Sequence, residues 1–210
     1  GEFDLDRPLA DYLERPLPDY EDYADLAGDE RWRRLTARHV LSHTTGFANF
    51  RWLEEDGKLQ FHRDPGEAYG YSAEGFYILQ LALEEHFKFD LGEEMQARMF
   101  GPFGMERTAM EWRDDFAADI ADGYALDGTF EPHDARSQPS AAGSMDTTIK
   151  DQAKLWAAIV RGDLLSKRVH EMLVEPQIPI TTARQFPTLA PSSDPRGPEI
   201  CRRAQAQKRD

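Results

Sequence analysis

The sequence predicts a mainly α fold, on three observations. From Phe76 to Leu83, FYILQLAL, only Gln80 is polar, so a helix there is apolar around nearly its whole circumference and belongs inside a domain, packed on several sides. Thr36, Asp90 and Thr148 each stand as a capping residue ahead of helix-forming sequence. Strand signals are sparse, amounting to one short hairpin.

In chain order, residues 1–35 carry short apolar anchors (Phe3, Leu5, Leu9, Tyr12, Leu13) between Asp and Pro. They predict one short helix near Arg7–Leu13, followed by an extended acidic loop. Thr36 caps a helix through about His43, closed at Thr44-Thr45-Gly46. Phe47–Asp64 reads as loop, with Trp52, Leu53 and Phe61 turned inward. Pro65, Gly66 and Gly70 punctuate a turn, and the central helix then runs from Ser72 to about Phe87. Asp90-Leu91-Gly92-Glu93 has the form of a capping box for a helix to Phe100, stopped by Gly101-Pro102. A hairpin is expected around Asp127-Gly128. Pro139–Ser144 is a small-residue bend where backbone can approach a ligand. A helix then starts at Thr147–Asp151 with Ile149, Ala153, Trp156 and Val160 on one face, ending at Gly162. A last short helix spans Ser166–Val174, and residues 176–210, Pro-rich and then polar, read as a disordered tail. No internal repeat is visible.

The 210 residues suffice for one domain, with 40% hydrophobic residues for its core. A net charge of -14 argues against nucleic acid or an anionic membrane as partner, since both require a basic footprint. The acids of the first thirty residues read as a solvated face. The single cysteine, Cys201, rules out an internal disulfide framework. No run of about 18 apolar residues is present to span a membrane. The opening GEFDLDRP resembles neither a signal peptide nor a natural start.

Several pairings invite chemistry. His39 and His43, spaced i, i+4, would share one helix face, the spacing of zinc proteases. Val40 stands where that motif needs its Glu, and no third ligand is evident, so a structural helix is the better reading and no metal is expected. Gly70-Tyr71-Ser72-Ala73-Glu74-Gly75 comes close to a nucleophile elbow, but its second glycine falls one place late and no strand precedes it. Thr147-x-x-Lys150 mimics a nucleophile pair, yet a cap by Thr148 with Asp151 explains it better.

Four blocks together resemble the serine beta-lactamase and penicillin-binding-protein superfamily, in its class C-like, esterase-rich branch. They are Gly1–Leu13 (GEFDLDRPLADYL), Leu35–Phe47 (LTARHVLSHTTGF), Pro65–Gln80 (PGEAYGYSAEGFYILQ) and Ala141–Leu155 (AAGSMDTTIKDQAKL). The resemblance implies the α+β family fold of that superfamily, represented here by its helical subdomain with few short strands, over residues 1–175. It implies acyl transfer without a cofactor: a serine of S-x-x-K is acylated, its lysine assists, and the tyrosine of Y-x-N acts as base. Tyr71 matches that tyrosine, Ser72 the middle residue, and Ala73 stands where Asn is usual. By the same resemblance Ser72, Ala73, Gly143 and Ser144 would line the substrate.

No serine in this sequence has lysine three places on, and neither K-T-G nor H-x-G occurs. The chain therefore reads as the middle of a longer hydrolase, inactive by itself. A phenol ordinarily titrates near pH 10, so acting as base near neutrality needs roughly 4 kcal/mol of preference for the anion. A helix N-terminus supplies only about 0.3 to 1 kcal/mol of that; the rest would fall to the lysines of the absent motifs. The competing account of Tyr71 is a buried aromatic with its hydroxyl bonded. The expected function is thus a serine hydrolase acting on a small ester, amide or lactam. One alternative is a binding module that keeps the pocket without the nucleophile, and another an enzyme using Ser72 or Ser144. A shortened domain should expose apolar surface and self-associate. The sequence does not distinguish a periplasmic from a cytoplasmic location.

Overall fold

The structure is a computed structural model, and it describes residues 3–180. They form two compact units, one built on residues 3–88 with 176–180, the other on Phe89–Glu175. Among the described residues the regular elements are helices, apart from two strands of two residues each.

The first unit opens with four 3-10 turns, Leu9–Tyr12, Leu17–Asp19, Glu21–Leu26 and Glu30–Arg34, where one helix and an extended loop were expected. The reason lies in the spacing. Leu17, Tyr20, Tyr23 and Leu26 recur every third residue, the period of a 3-10 helix, which places i and i+3 on one line. All four are buried, as are Leu9, Tyr12 and Trp32. Asp19, Glu21, Asp22, Asp25 and Glu30 face solvent between them, as the acidic face was read.

Helix α1, Ala37–Leu41, is capped by Thr36, whose hydroxyl accepts the His39 N–H at 3.3 Å. His39 Nδ1 accepts the Thr36 N–H in return, also at 3.3 Å. α1 ends two residues before His43, which adopts a left-handed backbone (φ 53°). His39 and His43 therefore do not share a helix face, and the i, i+4 reading is corrected. Helix α2, Glu74–Phe87, begins two residues after the expected Ser72. Ala73 offers it no side-chain cap. Instead the Asn49 carbonyl accepts the N–H groups of Ala73 (3.0 Å) and Glu74 (3.3 Å), and the Asn49 side-chain oxygen also accepts from Ala73 at 3.0 Å.

Ile78, Leu79 and Ala82 of α2 join Leu35, Val40, Phe47 and the aromatic turns in one core. The turn that follows α1 packs so closely on α2 at Gly75 that a Cβ there would lie 2.7 Å from the Thr45 methyl, with Val40 of α1 at 3.5 Å. Of the residues expected to turn inward from the 47–64 loop, Leu53 and Phe61 do. Trp52 does not: it is 42% exposed and stacks on Phe50 with ring centroids 5.2 Å apart.

In the second unit Asp90 caps α3, Leu91–Met95, through the Glu93 N–H. The helix widens into a π turn over Gln96–Phe100. Phe100, Met105 and Met110 make a small core, with Leu155 packed against it. The hairpin is present as β1, Gly123–Tyr124, paired antiparallel with β2, Phe130–Glu131. Helix α4, Ile149–Arg161, ends at Gly162, and α5 spans Lys167–Val174. The apolar face read on α4 is turned outward: Ile149, Trp156 and Val160 are 88%, 61% and 75% exposed. Periodicity identifies such a face but says nothing of what covers it. Most of the expected tail, residues 181–210, lies outside the described residues. No helix among the described residues is long and apolar enough to cross a membrane.

Candidate active site

Tyr71, Ser72 and Ala73 form the strap that leads into α2, in the first unit. Three backbone N–H groups fix the strap. The Gly70 N–H donates to the His43 carbonyl at 2.8 Å. The Ser72 N–H donates to His43 Nδ1 at 3.2 Å, and Asn49 holds Ala73 as described above. The half-buried Tyr71 ring stacks on the His43 imidazole, centroids 4.3 Å apart and planes 28° from parallel. Tyr69 and Phe76 flank the same imidazole at 5.9 and 5.3 Å. Burial lowers the His43 pKa, which favours the neutral ring, and accepting at Nδ1 assigns its proton to Nε2. Ser72 is buried, its hydroxyl donating to the Ala48 carbonyl at 2.9 Å.

Beneath the strap, Glu74 is buried and paired with Arg51 at 2.8 Å. Its carboxylate also accepts the Arg51 backbone N–H at 2.7 Å. Burial alone would lower the Arg51 pKa, but the bonds to Glu74 outweigh it and the net shift is upward. His43, Asn49 and Arg51 were not singled out for these roles. They lie 23 to 29 residues before the groups they hold, and no local pattern marks such a pairing.

Gly143 and Ser144 lie in the second unit. Gly143 is exposed. Ser144 is buried, its Oγ accepting the Ser140 N–H at 2.8 Å and closing the small-residue bend. In the same unit Thr148 caps α4 by accepting the Asp151 N–H at 3.2 Å. The expected reciprocal bond of a capping box is replaced, because the buried Asp151 carboxylate turns to Lys154 (2.8 Å), the Arg107 N–H (2.7 Å) and the Thr108 hydroxyl (3.2 Å). Burial would raise its pKa; these partners overcome that and lower it. A cavity of about 500 Å³ in this unit is bordered by Arg107, Phe116, His133, Asp146 and Thr147, with His133 Nε2 3.2 Å from Asp146.

The family model described as Beta-lactamase matches residues 1–193. The chain belongs to the beta-lactamase family. Among solved structures, a penicillin-binding protein from Bacillus halodurans is similar at 24% identity and a TM-score of 0.65, over 86% of this chain and 58% of that one. A D-stereospecific amidohydrolase from Streptomyces sp. matches at 18% identity and a TM-score of 0.64, over 89% of this chain and 60% of its own. A D-amino acid amidase from Ochrobactrum anthropi SV3 follows at 21% identity and a TM-score of 0.58, over 81% and 53%. At these identities the likeness is one of fold. This beta-lactamase-family chain spans less than two thirds of the length of each of the three. No curated protein sequence matches it.

Proposed function

We propose that this chain is the helical subdomain of a serine hydrolase of the beta-lactamase-related type, residues 1–175 forming one such domain, and that it serves acyl transfer on a small ester, amide or lactam. In this reading Tyr71 is the base that takes the proton of an attacking serine and passes it to the leaving group. That serine, with its lysine, would come from sequence outside these 210 residues, so the chain by itself would be inactive. Ser72 and Ala73 would line the substrate beside Tyr71, with their N–H groups already taken by His43 and Asn49.

The observation that carries the reading is Tyr71 itself. A half-buried phenol is fixed at the entrance of the central helix by bonds on both flanking residues, in a chain whose family match covers residues 1–193. Preorganisation of that kind suits proton transfer, which needs the base within hydrogen-bond reach of its target.

A fluorophosphonate probe followed by peptide mass spectrometry tests the proposal. The 210-residue chain should take up no label, and a longer form bearing an S-x-x-K serine should be labelled at that serine. Tyr71→Phe in the longer form should slow labelling by about a hundredfold or more. Labelling of Ser72 or Ser144 in the chain itself would overturn the assignment.

A further inference from the structure

We propose that His43 is the positioning residue for Tyr71, an inference that rests on the reading of Tyr71 as the base. One residue holds the tyrosine from both sides. The His43 carbonyl takes the N–H of Gly70, just before Tyr71, and Nδ1 takes that of Ser72, just after it. Between these two bonds the imidazole is the floor on which the phenol ring lies, 4.3 Å away. A chain fixed at the two residues flanking Tyr71, with its ring on a fixed plane, leaves the tyrosine little backbone or χ1 freedom, and its hydroxyl is confined accordingly.

The backbone at His43 makes this possible. Its φ of 53° lies in the left-handed region, where His, Asn and Asp are enriched among non-glycine residues. The Ser72 N–H can be accepted only by a deprotonated Nδ1, so the clamp requires the neutral imidazole with its proton on Nε2. Tyr69 and Phe76, packed around the ring, supply an apolar setting in which that form is favoured.

Nitrogen-15 NMR of the histidine-labelled 210-residue chain should show His43 Nδ1 unprotonated and Nε2 protonated at neutral pH. A proton on Nδ1 would overturn the inference. Two variants divide the contacts. His43→Phe keeps a ring but removes the acceptor, so exchange of the Ser72 amide, measured relative to the core amide of Ile78, should speed up about tenfold. His43→Asn keeps an acceptor at the δ position and tolerates the left-handed backbone, so Ser72 protection should be restored while the Tyr71 ring signals move. Unchanged Ser72 exchange in the Phe variant would refute the clamp. If neither variant folds, the proton location in the unsubstituted chain decides. None of these signals needs turnover, so their failure would remove His43 from its role and leave Tyr71 to be judged by probe labelling. Unimpaired labelling with Tyr71→Phe would remove the base and leave the clamp measurements standing.

Discussion

Two histidines and one glutamate make the strongest individual demands on the first unit. His39 and His43 both have pKa values lowered by burial from the ordinary 6.5. Below pH 6.5 the unfolded chain therefore binds more protons than the folded one, and stability should fall as pH falls through the folded pKa values. Thermal melting between pH 7.5 and 5 should show this decline, and His43→Asn should flatten it. Asp151 acts in a lower window: its depressed pKa contributes stability above the ordinary 3.8 that is lost as pH falls through its folded value. Glu74→Ala would leave Arg51, which is 25% exposed at its side chain, without its buried partner. A cost of about 2 to 4 kcal/mol is expected by urea denaturation, somewhat below that of a fully buried pair because Arg51 keeps some water. Sequence reasoning reached Tyr71, Ser72 and Ala73 through their motif, but not His43, Asn49 or Arg51. Each of those acts across a loop, and nothing in its immediate neighbours signals the pairing.

Helices were legible where a cap and a period of 3.6 coincided. α4 and α5 stand as read, and α3 keeps its start at Asp90. Boundaries failed where tertiary bonds replaced local ones: α2 is capped by Asn49 from outside, and α1 stops after five residues because His43 turns back toward the strap. The three-residue period of Leu17, Tyr20, Tyr23 and Leu26 was present in the sequence, but it matches neither an α-helix nor a strand, so it read as loop. Thr148→Ala should cost about 1 kcal/mol by removing the α4 cap. Gly75→Ala should cost about 1 to 3 kcal/mol, because the added methyl meets the Thr45 methyl and the turn after α1 must give way.

Taken entire, the polypeptide carries a net charge of -14, yet Ile149, Trp156 and Val160 of α4 and Leu173 and Val174 of α5 are exposed. Solvated acids favour dispersal, while apolar helix faces favour association. Sedimentation velocity should reveal concentration-dependent self-association, weakened about tenfold or more by Trp156→Glu if that ring anchors the contact. A salt series would separate the two tendencies, since screening weakens the repulsion and leaves the apolar attraction in place. One further consequence follows from Asn49. Because its carbonyl and carboxamide already occupy the Ala73 and Glu74 amides, those two donors at the positive end of α2 are closed to an incoming anion. Under the proposed reading, negative charge developing on a substrate would have to be received by groups other than those two amides.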